Sequence, residues 1–235
     1  MNQSTACCAN VRRRHNGDAI DARVDQSEIA ALYDKRAALY DVWGNLTESR
    51  ARARAIELAH IRNGQTIAEV AVGTGLAFRE IVSRNPDGRN IGIDLSPGML
   101  REAEKKLQAL PPGDHHLKVG SAFNLELDDD SVDTLVNNYM FDLIPFEDMD
   151  RVIREFRRVL RPGGKLVLVN MTRGETRASR LYDTIYRFSP AAMGGCRGVR
   201  MAEKLEQQGF QVGCREYHQQ MLFPSEVVIA DQKPF

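Results

Sequence analysis

Two carboxylates and a glycine turn form the stretch of this chain best equipped for chemistry. Glu69-Val70-Ala71-Val72-Gly73-Thr74-Gly75 follows the apolar Thr66-Ile67-Ala68 and precedes Leu76, Phe78, Ile81 and Val82 at helical spacing. The pattern predicts a strand, a tight turn and a helix. Glycines two apart let the backbone approach a ligand, because no Cβ intervenes and positive φ costs little. Such a ligand lies beyond the carboxyl end of a parallel strand, where open α/β sheets bind. A dinucleotide fingerprint needs a third glycine where Phe78 stands, and a P-loop needs Lys-Ser/Thr where Arg79-Glu80 stands. Glu69 would repel a pyrophosphate but attract an ammonium or sulfonium. A second apolar run, Asn90-Ile91-Gly92-Ile93, ends in Asp94, an acid suited to ribose hydroxyls.

A ribose carrying a cationic, phosphate-free tail describes S-adenosylmethionine. The plainer alternative is an ordinary strand–turn–helix with one incidental acid. Later blocks weigh against that alternative. They are Gly92-Ile93-Asp94-Leu95-Ser96-Pro97-Gly98-Met99-Leu100, then Gly120-Ser121-Ala122-Phe123 with Asp133, then Leu160-Arg161-Pro162-Gly163-Gly164-Lys165. With the glycine turn and in this order, residues 66–170 resemble the class I S-adenosylmethionine-dependent methyltransferases. Ala71 and the paired tyrosines Tyr33 and Tyr40 look most like the quinone C-methyltransferases. The resemblance implies an α/β, Rossmann-like fold: a seven-stranded, mostly parallel sheet with helices on both faces and an N-terminal helical lid. It also implies a cofactor site of Tyr40, Glu69, Ala71, Gly73, Gly75, Asp94, Leu95, Met99, Ser121, Ala122, Phe123 and Asn138, with S-adenosylhomocysteine as product. Leu95 and Met99 would cover the adenine. Ser121 stands where the family commonly has an acid for the adenine amino group; serine accepts that bond without charge.

The elements that must position these residues can be read in order. Residues 1–25 are polar and Arg-rich, and are expected to be a disordered tail ahead of a single domain, 26–235. Cys7-Cys8 lack partners at zinc spacing, and Arg12-Arg13-Arg14 suit solvent or an anionic membrane surface. Ser27 is a plausible N-cap for a helical lid over 26–62, with Trp43 beside it and a second helix over about 47–60. The cofactor core spans 63–170. Asn85-Pro86-Asp87-Gly88 makes a turn, and Ser96-Pro97 start a helix. A third strand covers about 116–119; His115 and His116 read as exposed turn residues. A fourth, 132–138, ends in Asn137-Asn138. If the sheet is wound as supposed, Asn138, Tyr139 and Asp142 are the polar groups best placed near a reacting methyl. Tyr139 and Asp142 are therefore the candidate catalytic residues. Met149, Val152, Ile153, Phe156 and Val159 predict an amphipathic helix, stopped at Arg161-Pro162-Gly163-Gly164, with a fifth strand over 165–169.

Residues 171–210 read as an insertion shaping the acceptor pocket. It holds an aromatic helix through Leu181, Tyr182, Ile185, Tyr186 and Phe188, a flexible stretch over 193–198 containing Cys196, and a helix over 199–208. Residues 211–235 carry the terminal strands, a hairpin pair over 210–218 and 222–230, with His218 a weaker candidate base. The tyrosine-rich, apolar content suggests a mainly apolar small-molecule acceptor, such as a quinone-like ring, a lipid amine or a thiol.

Composition bounds the alternatives. The chain has 235 residues with Lys+Arg 32 against Asp+Glu 32. Zero net charge argues against nucleic acid as substrate, since phosphate binding leans on a basic face. An Asn/Asp-Pro-Pro-aromatic motif for amine groups of RNA or protein is absent. Intact Gly73, Gly75 and Asp94 argue against a non-catalytic binding protein. No apolar run approaches a membrane span and no signal peptide is read, so at most peripheral membrane contact is expected. The cysteines (4) are scattered, with neither a disulfide framework nor a metal set. A cytoplasmic location is the default expectation.

Overall fold

The computed structural model describes residues 44–176, 179 and 196–233. Helix α1 (Ser49–Ala59) leads into β1 (Thr66–Val70), α2 (Leu76–Arg84), β2 (Arg89–Asp94) and α3 (Pro97–Leu107). Then come β3 (His115–Val119), β4 (Val132–Asn138), α4 (Phe146–Val159) and β5 (Leu160–Met171). Helix α5 (Ala202–Gln207), β6 (Phe210–Gln220) and β7 (Phe223–Gln232) complete the described chain.

The seven strands lie in the order β3-β2-β1-β4-β5-β7-β6. The first five are parallel, and β7 runs antiparallel to both neighbours. From β1 the chain builds outward through β2 and β3, then returns to add β4 on the other side. This reversal of winding opens a crevice beyond the carboxyl ends of β1 and β4. The expected seven-stranded, mostly parallel sheet and its terminal hairpin are both present.

Period-two alternation divides the core between the two faces. Ile67, Val136, Val167, Val169, Val227 and Ile229 pack against Ala55 and Ile56 of α1 and Ala77 and Ile81 of α2. Ala68, Val70, Leu135, Leu166, Leu168 and Val228 pack against α4 and Leu205 of α5. In α4, Met149, Val152, Ile153, Phe156 and Val159 form one buried stripe. Its first turn carries Glu147 and Asp148 and its last Arg157 and Arg158, each favourable to the helix dipole. At α3 the Ser96 hydroxyl accepts the Met99 amide at 3.1 Å and Pro97 occupies the first turn, as Ser96-Pro97 predicts.

Several boundaries differ from expectation. Arg161-Pro162-Gly163-Gly164 does end α4, but β5 already begins at Leu160, which is fully buried and pairs with Val132. The register then jumps to Thr134↔Lys165, so the intervening residues bulge out, with Gly163 at φ 76. The helix expected from 199 starts only at Ala202. The Val199 amide is drawn to the Met171 carbonyl (3.0 Å) and the Met201 amide to the Glu226 carboxylate (2.9 Å), so this stretch is tied to β5 and β7 rather than wound into the helix. Tyr33, Tyr40, Trp43, the tail with Cys7 and Cys8, and the aromatic helix predicted around Tyr182 and Tyr186 lie outside the described residues. Among the described residues no helix is long and apolar enough to cross a membrane.

Gly75 begins α2 at φ 82, and a Cβ there would lie 2.7 Å from the Cβ of Ala103 in α3. Left-handed strain and overpacking then add. Gly75→Ala should lose about 2–4 kcal/mol of stability, read as a lower urea midpoint at unchanged slope.

Candidate active site

The turn after β1 is an unusual piece of backbone. Ala71, Gly73 and Gly75 all adopt positive φ, at 59, 57 and 82. The Val72 amide reaches the Ile93 carbonyl (3.2 Å), and the Gly73 amide donates to Asp94 Oδ2 at 2.7 Å. Asp94 Oδ1 accepts the Ser96 amide at 2.9 Å. One carboxylate thus orders the turns after both β1 and β2. The two glycines have different reasons to be glycine. A Cβ on Gly73 would meet nothing within 4 Å, because this residue borders the open crevice. Gly75 is not in the crevice wall; it lets α2 and α3 touch.

Four strand ends contribute to that wall. Val70, Ala71 and Gly73 come from the first, and Asp94, Leu95, Ser96 and Met99 from the second. Gly120, Ser121, Ala122 and Phe123 follow β3, and Asn138, Tyr139, Met140, Leu143 and Ile144 follow β4. Leu95 is exposed beside buried Met99, forming an apolar shelf. The Ser121 hydroxyl accepts the Phe123 amide at 3.3 Å, and the Arg151 guanidinium lies 5.0 Å over the Phe123 ring.

Glu69 is more secluded than an acid at a site mouth. It is 1 % exposed, on the α1 face of the sheet and outside the crevice wall. Its Oε1 accepts Asn138 Nδ2 at 2.9 Å, while Glu69 Oε2 and Asn138 Oδ1 meet no donor among the described residues. Burial pushes its carboxyl up to about 8, opposed by the Asn138 bond and Arg52. Asn138 Oδ1, on a residue of the crevice wall, and Glu69 Oε2 behind it have the acceptor chemistry that fits an ammonium group. Asn137, which sequence reasoning passed over, donates to the Val70 carbonyl at 2.8 Å and locks the ends of β1 and β4 together.

Tyr139 and Asp142 occupy different places. Tyr139 lines the crevice with φ 53. Its hydroxyl turns to the α1 face, 3.0 Å from Ser225 Oγ and 3.5 Å from the Glu48 carbonyl. Burial and the Glu48 charge raise the phenol well above its ordinary range, which suits a hydrogen-bonding anchor rather than a base. Asp142 is fully buried behind the wall, with the Cys196 thiol beside its carboxylate. Burial lifts it to about 6, tempered by the neighbouring Cys196 thiol and by Arg197. Tyr40 lies outside the described residues. His218 faces Glu216 Oε2 at 3.1 Å, a carboxylate also held by Arg54, and is not in the crevice wall.

Arg197 is the main surprise. The stretch expected to be flexible contains an arginine that is 1 % exposed. Its guanidinium donates to the Asp142 carbonyl (3.2 Å) and the Ile144 carbonyl, and lies 4.5 Å over the Phe146 ring. Arg197 therefore pins residues 139–144, the wall nearest the end of β4. Nothing in sequence spacing signals this; only the return of the chain across the sheet edge brings it there.

Comparison with known proteins agrees with this geometry. A family profile described as a methyltransferase domain matches residues 67–164. The chain is 33% identical over 161 residues to a demethylmenaquinone methyltransferase of Thermotoga maritima, covering 67% of this chain and 66% of that one. It is 36% identical over 140 residues to a phosphatidylethanolamine N-methyltransferase of Cereibacter sphaeroides, covering 58% and 64%. The matched region thus spans just under two thirds of each of these relatives. Among solved structures, the [4+2]-cyclase SpnF superposes with a TM-score of 0.71 at 15% identity, covering 91% of this chain and 99% of that one, a likeness of fold alone. With the matched turns, the crevice and the sheet order in agreement, the chain belongs to the class I S-adenosylmethionine-dependent methyltransferase family and is related to its quinone methyltransferases.

Proposed function

We propose that this protein transfers the methyl group of S-adenosylmethionine to a small, mainly apolar acceptor: a quinone-like ring, a lipid amine or a thiol. The observation that carries this reading is the convergence of Asn138, hydrogen-bonded to Glu69 behind it, with Asp94 and the Leu95–Met99 shelf on one crevice at the switch point of the sheet. Relatives named for quinone and phospholipid substrates support an apolar acceptor. In this assignment Glu69 and Asn138 hold the donor's ammonium, Asp94 its ribose, and Leu95, Met99, Ser121, Ala122 and Phe123 its adenine. The bound donor supplies an electrophilic methyl carbon on a sulfonium. The chain's part is to orient both reactants and exclude water, and near-attack placement can supply ~7–11 kcal/mol. Tyr139 anchors the wall beside the reacting centre through Ser225, and Asp142 is the group whose acidity, raised to about 6, suits proton uptake near neutral pH.

Incubation with methyl-labelled donor and a lipid and metabolite extract should place the label in lipid-soluble quinones, lipid amines or small thiols. Label found only in RNA or protein would end this reading.

Glu69 gives donor binding a pH dependence. The free protein keeps a proton on this carboxyl up to about pH 8, and an ammonium beside it expels that proton. The bound state holds fewer protons, so affinity rises with pH until the free carboxyl is itself ionised. Calorimetry with S-adenosylhomocysteine should show tightening toward pH 8, at a limiting slope of about tenfold per pH unit, then a plateau. Glu69→Gln should remove the slope and weaken binding severalfold. A sloping profile retained by that variant would refute the assignment.

A further inference from the structure

We propose that Arg197 is a positioning residue for methyl transfer: it fixes the apolar wall of Met140, Leu143 and Ile144 against which the acceptor is held. The proposal rests on the methyl-transfer reading above and names the residue that sets its acceptor side. The donor assignment uses the first three strand ends and Asn138, and leaves these three apolar side chains of the crevice for the acceptor. They stand on the short turn between β4 and α4. The Tyr139 amide ties the start of that turn to the Val169 carbonyl at 2.7 Å. Two bonds then close it locally, from the Leu143 amide to the Met140 carbonyl (2.9 Å) and from the Ile144 amide to the Phe141 carbonyl (3.3 Å). Bonds of that span shape a turn but do not place its far end against the rest of the molecule.

Arg197 supplies the placing contacts. Its backbone amide and its guanidinium both donate to the Asp142 carbonyl at 3.2 Å, and the guanidinium also donates to the Ile144 carbonyl. These are not the carbonyls that the turn uses internally. The same guanidinium lies 4.5 Å over the ring of Phe146, the first residue of α4. One planar fork thus joins the middle of the turn, its end and the following helix. Arg197 is 1 % exposed, and taking a guanidinium out of water is costly unless fixed dipoles replace that water. An apolar side chain would fill the same space at less cost. A guanidinium has the width to aim two carbonyls at once, which the compact ammonium of lysine lacks.

The residues after Arg197 are themselves held at several points. A Cβ on Gly198 would lie 2.7 Å from the Thr172 carbonyl oxygen, so the chain here runs close against the residue following β5. The Val199 amide donates to the Met171 carbonyl at 3.0 Å, and the Val199 carbonyl accepts from Asn170 Nδ2 at 3.2 Å. Buried Glu226 of β7 accepts the Met201 amide at 2.9 Å and is ion-paired with Arg215 at 2.8 Å. Arg197 therefore links the acceptor wall to the antiparallel end of the sheet. The donor turns have separate ties, from Asp94 and Asn137. Altering Arg197 should then impair transfer and spare donor binding. Misplacing a reactant by about an ångström can cost ~100-fold in rate.

The test compares the full chain, unaltered, with Arg197→Lys and Arg197→Met. Calorimetry with S-adenosylhomocysteine gives donor-site affinity and the number of competent sites. Transfer from methyl-labelled donor is read as initial rate per competent site, across dilutions of the lipid and metabolite extract. Hydrogen exchange is read by mass spectrometry on peptides over 70–76 and 139–146. S-adenosylhomocysteine affinity should stay within roughly twofold in both variants, while Arg197→Met lowers the rate at saturating extract roughly tenfold or more. Arg197→Lys, which keeps the charge but not the fork, should recover only part of that rate. Exchange should quicken in 139–146 and hold in 70–76. An unchanged rate per competent site in either variant, or unchanged exchange in 139–146, overturns the proposal while leaving methyl transfer standing. Donor affinity falling in step with the rate overturns it too, since Arg197 would then support the whole crevice. Should Arg197→Met fail to fold, Arg197→Lys carries the same comparisons. An unaltered protein that labels no lipid or small molecule removes the reading beneath it.

Discussion

The carboxylate of Asp94 and the amide of Gly73, 2.7 Å apart, hold the geometry on which the rest of the crevice depends. The first strand has to leave the sheet through a turn with several left-handed residues, one of them the alanine at 71. Such backbone persists only where its surroundings over-determine it. Here the support comes from the second strand, which offers a charged acceptor and the Ile93 carbonyl to amides of the turn. Charge-assisted bonds of this kind are short and strong. The turn is thereby coupled to α3, whose first residues the same carboxylate also orders through Ser96. Asn137 repeats the device on the other flank by tying Val70 to the fourth strand.

Beyond that frame, the α1 face of the sheet edge carries two buried acids, Glu48 and Glu69. Strand alternation puts Glu69, Asn138 and Ser225 on this face, and Glu48 arrives from the start of α1. Burial raises Glu48 and Glu69 to about 8. Burial thus favours the neutral form of both acids, and a nearby cation favours the charged one. Glu226, equally buried, accepts from Arg215 at 2.8 Å and from the Met201 amide. The acids with raised pKa values thus lie near the crevice and the ion-paired one in the scaffold, as expected where perturbed acidities accompany function.

The frame does not dictate the chemistry. A cyclase superposes on this fold as well as methyltransferases do, so the reaction must be argued from the groups at the sheet edge. The donor side is built from the first three strand ends, where each contribution is local in sequence. The wall facing the acceptor is built from residues 139–144 and Arg197, held by contacts from distant parts of the chain.

Much of the donor site was legible in the chain because it consists of short segments read one strand end at a time. The Gly73 turn, Asp94 with Leu95, and Ser121 to Phe123 each announce themselves by a break in apolar patterning, and parallel winding brings such breaks to one edge. Glu69 was recognisable as the telling acid, but not its seclusion, because burial depends on α1 and β4 together. Gly75 looked like a ligand contact and is a helix contact, a distinction set by Ala103 in another helix. The extension of β5 back to Leu160 and the late start of α5 followed from pairing partners invisible in local propensity. The sequence alone thus determined the alternating core, the order of elements and the kind of ligand the strand ends could accept, since these rest on periodicity and local turn chemistry. Only the tertiary structure decided which acids are buried and that Arg197 braces the wall, since burial and long-range hydrogen bonds exist only once the sheet has closed over them.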